Sequence, residues 1–222
     1  MEQRTEQING ILGKIEVFRQ NHSRIVAGGK TIHIDPFRFD SEPKDADFIL
    51  ITHDHHDHFS PADIERVANT KTVLVVPENM LAKAAAVETL VAKTVAVKPC
   101  EKYVVDSLEF ETVPAYNVGK PFHPKSAGWV GYVLNVDGSR VYVAGDTDAT
   151  AEAENVKCDV ALLPIGGTYT MNAKQAAGLA NKIRPAAVIP VHYGGIVGRE
   201  NDGFDFEKQV DGGIKVAFKI RF

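Results

Sequence analysis

The chain has 222 residues, of which 44% are apolar and 24% charged, and a formal net charge of −4. These are ordinary globular values, and a chain of this length buries a large core without staples. No run of Lys or Arg occurs, which speaks against a nucleic-acid surface.

The N-terminal stretch Met1–Gly10 is polar and lacks an apolar segment of the secretory type. No segment approaches ~18 consecutive apolar residues, so no membrane insertion is expected. Cys100 and Cys158 lack a CxxC spacing and read as two buried free thiols of a reducing compartment. The expectation is a soluble, cytoplasmic protein with a small-molecule substrate and no nucleic-acid partner. A homo-oligomer is compatible with the sequence.

The first third reads as β-structure. Ile15–Arg19 and Arg24–Ala27 alternate in polarity, and Gly28-Gly29 supplies a turn before Thr31–Asp35. Phe48–Thr52 is a short apolar run of the kind buried on both faces. Ser60 is placed to cap a helix through about Asn69, with Pro61 in its first turn and Asp63 at the capping-box position. A strand at Thr72–Val76 and a helix at Glu78–Ala86 follow.

The middle is strand-rich: Thr94–Val97, Tyr103–Val105, Leu108–Pro114, Trp129–Val136 and Arg140–Ala144. Asp137-Gly138 between the last two is a hairpin signal. Next come a strand at Val160–Leu163, a helix capped by Asn172 through about Ile183, and a strand at Ala187–Val191. A helix near Phe204–Val210 and a strand near Lys215–Ile220 close the chain. No linker, repeat or low-complexity tract interrupts this order. It predicts one domain over 1–222, with two sheets face to face and helices outside.

The chemistry concentrates in residues 52–58, Thr-His-Asp-His-His-Asp-His. Imidazole and carboxylate together are the ligand set of zinc and similar divalent ions. His53 and His55 share one side of an extended segment, while Asp57 and His58 follow where the chain turns toward Ser60. Two ligand pairs around one small volume at a strand end suit two adjacent metal ions. His56 points away from His55 and is not taken as a ligand. Asp54 is a candidate to orient a ligand imidazole. Tyr116, Lys125, Tyr169 and Tyr193 are candidates to line the pocket, and His22 and His33 read as ordinary strand histidines.

His53-x-His55-x-Asp57-His58 resembles the signature of the metallo-β-lactamase superfamily. Ala144-Gly145-Asp146-Thr147-Asp148 resembles its bridging-aspartate motif, and Ile189-Pro190-Val191-His192-Tyr193-Gly194 its last-histidine motif. The resemblance runs from about Ile32 to Tyr193. It is greatest to short zinc-dependent hydrolases related to the ascorbate-6-phosphate lactonases and to phospholipase-D-like members. Pro114-Ala115-Tyr116-Asn117, Phe122-His123-Pro124-Lys125 and Leu163-Pro164-Ile165-Gly166-Gly167 carry that similarity.

The resemblance implies an α/β fold, a four-layer αββα sandwich of two mixed sheets with helices on the outer faces. It implies metal ligands His53, His55, Asp57, His58, His123, Asp146 and His192, with Asp57 also catalytic. The implied cofactors are two divalent ions: five imidazoles and two carboxylates favour zinc and tolerate manganese or iron. One departure concerns the third histidine, which relatives often place in a Pro-Ala-x-His turn. Here Asn117 holds that place and His123 follows six residues later, so His123 reaches back from a longer loop or Asn117 is a weak ligand.

The implied activity is hydrolysis of a small ester, lactone or phosphoester by a hydroxide shared between the metals. The alternative on the same fold is an iron-dependent oxidoreductase of the thiol dioxygenase or diiron type. A histidine at position 55 leans away from the diiron relatives, for which the resemblance implies glutamate.

Overall fold

The computed structural model describes residues 2–222, so only Met1 of the polar N-terminal stretch lies outside it. The chain opens with a helix that the sequence reading did not assign, α1 (Glu2–Gly13). Its apolar residues Ile8, Ile11 and Leu12, at helical spacing, are buried in the central core.

Six strands form the first sheet in chain order: β1 (Ile15–Val17), β2 (Ser23–Ala27), β3 (Lys30–Ile34), β4 (Phe48–Leu50), β5 (Val73–Pro77) and β6 (Lys93–Val97). The first three pair antiparallel and the last four parallel. Gly28 and Gly29, at φ 55° and 72°, close the β2–β3 hairpin. The left-handed region they occupy is open to glycine at no steric cost.

Seven strands form the second sheet: β7 (Lys102–Val105), β8 (Leu108–Pro114), β9 (Val130–Val136), β10 (Ser139–Val143), β11 (Val160–Pro164), β12 (Ala187–Val191) and β13 (Lys215–Val216). The pairing is antiparallel from β7 to β10 and parallel from β10 to β13. Asp137 and Gly138 make the expected β9–β10 turn.

Alternation along the strands creates the layers. Phe48 and Leu50 of β4 and Val73 and Val75 of β5 face Tyr132 and Leu134 of β9, Leu162 of β11 and Ile189 of β12 in the core between the sheets. The intervening residues Ile49, Ile51, Leu74 and Val76 pack outward on Ile64 and Val67 of α2 (Pro61–Val67) and on Met80 and Ala84. Met80 ends a 3₁₀ turn and Ala84 ends α3 (Leu81–Ala84); a second 3₁₀ segment continues to Leu90 where one helix was expected.

On the second sheet, Tyr142, Ala161, Leu163 and Val188 pack outward on α5 (Ala173–Ile183) and on Phe206 of α6 (Asp202–Glu207). The short α4 (Ala151–Glu154) lies on this side too. The architecture is therefore the αββα sandwich of two mixed sheets. Two caps foreseen in the sequence are formed: Ser60 accepts from Asp63 N, and Asn172 and Gln175 make a reciprocal capping box.

The cysteines depart from expectation. Cys100 is exposed, in the β6–β7 connection, and Cys158 is only half-buried. Among the described residues no helix is long and apolar enough to cross a membrane.

Leu50 is completely buried between the two sheets. Leu50→Ala should lower the unfolding free energy by about 2–5 kcal/mol, because the removed methyls leave a cavity that rigid sheets cannot close. Urea denaturation checks this, and a cost under about 1 kcal/mol would mean that the sheets are not the rigid layers described.

Candidate metal centre

Asp35 follows β3, and the turn carrying His53 to His58 begins two residues after β4. Asn117 and His123 lie in the loop after β8. Asp146 follows β10, and His192 immediately follows β12. All these strands end at the same edge of the sandwich, so residues more than a hundred positions apart meet there.

Two glycines permit the approach. Gly145 sits at φ 65°, and a Cβ there would come 3.0 Å from Cβ of Thr52, the residue before His53. At Gly166 an added Cβ would lie 2.3 Å from the carbonyl oxygen of His192.

The side chains form two groups with Asp146 between them. In the first, His53 Nε2 lies 3.2 Å from His55 Nδ1 and 3.9 Å from Asp146 Oδ2, and His123 Nε2 lies 3.4 Å from the same oxygen. In the second, His58 Nε2 and His192 Nε2 are 3.2 Å apart. They lie 3.7 and 3.4 Å from Asp57 Oδ2, and 3.4 and 3.3 Å from Asp146 Oδ1. One carboxylate thus offers a different oxygen to each group.

This set fits divalent cations. Donors about 2.0–2.1 Å from a tetrahedral ion are ~3.3 Å apart, close to the separations observed. His123 Nε2 and Asp146 Oδ1 are buried and have no hydrogen-bond partner. A buried polar atom without a partner is costly, and a cation in each group would satisfy both.

Several of the donors are oriented from behind. His58 Nδ1 meets Asp35 Oδ2 at 2.7 Å. Asp35 is fully buried and also accepts from Thr52 N at 2.8 Å, Thr52 Oγ1 at 2.7 Å and Asn21 Nδ2 at 2.7 Å. This corrects the expectation for Asp54, which is about 40% exposed and turned toward Lys83. Asp35 was passed over because it reads simply as the end of a strand. Its φ of 46°, rare for a residue with a Cβ, is visible only in three dimensions.

Asn117 settles into a supporting place: its Oδ1 meets His123 Nδ1 at 2.9 Å, and its Nδ2 donates to Tyr169 O at 2.9 Å. His123 does reach back, and its Nε2 faces Asp146. Gln20 was also missed. Its Nε2 donates to Asp57 Oδ2 at 3.4 Å, and its carbonyl accepts from His192 N at 2.9 Å.

The remaining candidates divide. His56 is exposed, as expected. Tyr169 stands at the rim edge-on to Phe122. Tyr116 donates to Glu152, which also pairs with Lys125, and Tyr193 is buried against Phe222. His22 and His33 are not ordinary strand histidines but a buried relay, with His22 Nε2 3.1 Å from His33 Nδ1 and His33 Nε2 3.0 Å from Asp45. Trp129, with ring centroids 5.0–5.5 Å from His53, His55 and His123, walls the first group.

Burial, reinforced by the neighbouring imidazoles, holds His53 well below its ordinary pKa and lowers His55. Both rings are therefore in the neutral form that a metal requires. Burial also opposes charge on Asp57 and Asp146, but contacts with His192 and His58 outweigh it and hold both carboxyls well below the usual range. Burial pulls His58 down, yet Asp146 and Asp35 raise it to about 9. The carboxylates around His58 thus favour positive charge at this point, which a cation would supply.

Comparison with known proteins agrees with this geometry. A family model described as the β-lactamase superfamily domain matches residues 14–192. The chain is 32% identical over 208 residues to a UPF0173 metal-dependent hydrolase of Pyrococcus abyssi, covering 86% of this chain and 90% of that one. The structure of a candidate metal-dependent hydrolase from Parabacteroides distasonis superposes with a TM-score of 0.76 at 31% identity, over 92% of this chain and 91% of that one. Igni18, a metallo hydrolase of Ignicoccus hospitalis, shares the fold with a TM-score of 0.74 at 24% identity, over 92% and 93% of the two chains. The chain belongs to the metallo-β-lactamase superfamily and, within it, to the UPF0173 metal-dependent hydrolases.

Proposed function

We propose that this chain hydrolyses a small ester, lactone or phosphoester using two divalent ions, zinc in the first instance. His53, His55 and His123 would hold one ion and Asp57, His58 and His192 the other, with Asp146 available to both. The observation that carries this reading is the divided carboxylate: Asp146 Oδ2 faces His53 and His123 while Oδ1 faces His58 and His192. A single ion would leave one of these oxygens and its two imidazoles without a partner. Imidazole-rich donors favour zinc over magnesium or calcium.

Ions held there would supply an acidified water, of pKa ~7, and a positive charge to polarise the bond under attack. The protein supplies the rest. Asp57 commits Oδ2 to His58 and His192, while among the described residues the ion-pair partner of Oδ1 is His56, at 3.9 Å. Oδ1 can therefore orient the nucleophile, take its proton and return it to the leaving group. Asp35 fixes the tautomer of His58, and Asn117 orients His123. Trp129 keeps bulk water from the first group, which strengthens the electrostatics inside.

Elemental analysis of protein loaded with zinc should give close to two ions per chain; a firm zero would defeat the reading. Asp57→Ala should cut hydrolysis of any genuine substrate by roughly 10²-fold or more, measured on a panel of lactones, phosphodiesters and thioesters. Asp35→Asn should weaken one of the two zinc ions by roughly 10- to 100-fold in a chelator competition and leave the other unchanged. Equal weakening of both, or of neither, would remove Asp35 from its assigned place.

A further inference from the structure

Beside the second group lies a small cavity of ≈ 70 Å³, lined by Arg19, Arg38, Arg221, Gln20, Phe37 and the segment 193–196 that follows His192. No carboxylate lines it, although the chain as a whole is acidic. The three arginines also line a neighbouring hollow of ≈ 540 Å³. Of the carboxylates of that hollow, Asp45 lies 2.6 Å and Glu16 3.0 Å from Arg24, which lines it too, and Glu16 also lies 3.0 Å from Arg221.

Two of the three guanidinium groups are underused. Arg38 meets no carboxylate within 4.0 Å among the described residues, and its partner is the face of Phe37, at 5.1 Å. Arg19 has only Asp40 at 3.9 Å, and Asp40 is about 90% exposed. Such a pair is screened by water. Arg221 shares Glu16 with Arg24.

The backbone is held in an unfavourable state at the same place. Gln20, Asp35, Arg38 and His192 all have φ between 46° and 56°. Three of these four touch the second group or belong to it. Gln20 makes the link: its amide bonds Asp57 from within the wall of the arginine cavity.

From this juxtaposition we propose that Arg19, Arg38 and Arg221 form a recognition site for an anionic group of the substrate. The group is an oxyanion, phosphate or carboxylate, which guanidinium forks bind in bidentate fashion. It sits on the Asp57–His192 side of the metal pair, so this rests on the hydrolytic reading and narrows its substrates to those carrying a negative charge.

The test is the affinity of metal-loaded protein for inorganic phosphate and, separately, for acetate, measured by calorimetry with metal content determined on each sample. Arg19→Gln/Arg38→Gln should weaken phosphate binding by about tenfold or more with metal content unchanged. Arg38→Lys alone should retain part of the affinity, since it keeps charge but loses the fork. Arg140→Gln, which alters a pair with Glu111 elsewhere on the second sheet, should change it by less than about twofold.

Selective loss of phosphate affinity identifies the anion as phosphate-like, and equal loss for acetate identifies it as any oxyanion. Phosphate affinity that is absent, or unmoved in the double variant, overturns the arginine site whatever the enzyme hydrolyses. A chain that takes up no metal yet binds phosphate through these arginines keeps the site and defeats the hydrolytic reading.

Discussion

Everything at the centre of this protein turns on a charge problem: three carboxylates and five imidazoles are confined at one edge of a sandwich, most of them out of contact with water. Asp35, Asp146 and His58 are almost entirely buried. Burying an unpaired carboxylate is expensive, and the hydrogen bonds present do not reach every atom, since His123 Nε2 and Asp146 Oδ1 stay unpartnered. A proton on His58 offsets part of the negative charge. Cations offset it more fully and satisfy the remaining donors, so metal binding and stability at this edge are coupled.

The scaffold makes the cluster tolerable by leaving it little freedom to relax. The donors stand at the ends of β3, β4, β8, β10 and β12, which belong to stacked sheets with a filled core between them. Tyr132 ties the layers directly, its hydroxyl donating to Ile51 O at 2.7 Å just before the turn that carries His53 to His58. The turn itself is short. His58 N and Phe59 N both bond to His55 O, which lifts Asp57 and His58 away from the line of His53 and His55. One strand end thereby serves two separate groups of donors.

How much of this could be read in advance follows from where the information sits. The cluster at residues 53–58, the Asn172 cap and the Asp137-Gly138 hairpin are local patterns, and local patterns survive in sequence. Helix α1 was overlooked because Ile8, Ile11 and Leu12 are few among polar neighbours, and its stability comes from the core it touches rather than from propensity. Asp35, Gln20 and Asn117 carry no local mark of their roles. Each acts through a partner more than five positions away: Asp35 on His58, Gln20 on Asp57 and Asn117 on His123. Asp54 looked the better support because it adjoins the ligands, but alternation along an extended segment turns it outward to Lys83.

The same charge accounting bears on the chemistry. Two divalent ions with a neutral His58 would exceed Asp35, Asp57 and Asp146 by one positive charge, and a hydroxide between them would bring the sum to zero. As that hydroxide attacks, its negative charge passes to the substrate oxygen, and a fixed positive environment would stabilise that change more than the resting substrate. Removing Asp35 would leave the balance positive, at the cost of an unsupported His58. Remove both ions and the carboxylates repel one another in a medium that screens them poorly. The net acidity of the whole chain does not enter this balance, because charges beyond roughly 8–10 Å across solvent are screened. What governs the reaction is the local sum, set by the few side chains that the strand ends hold together.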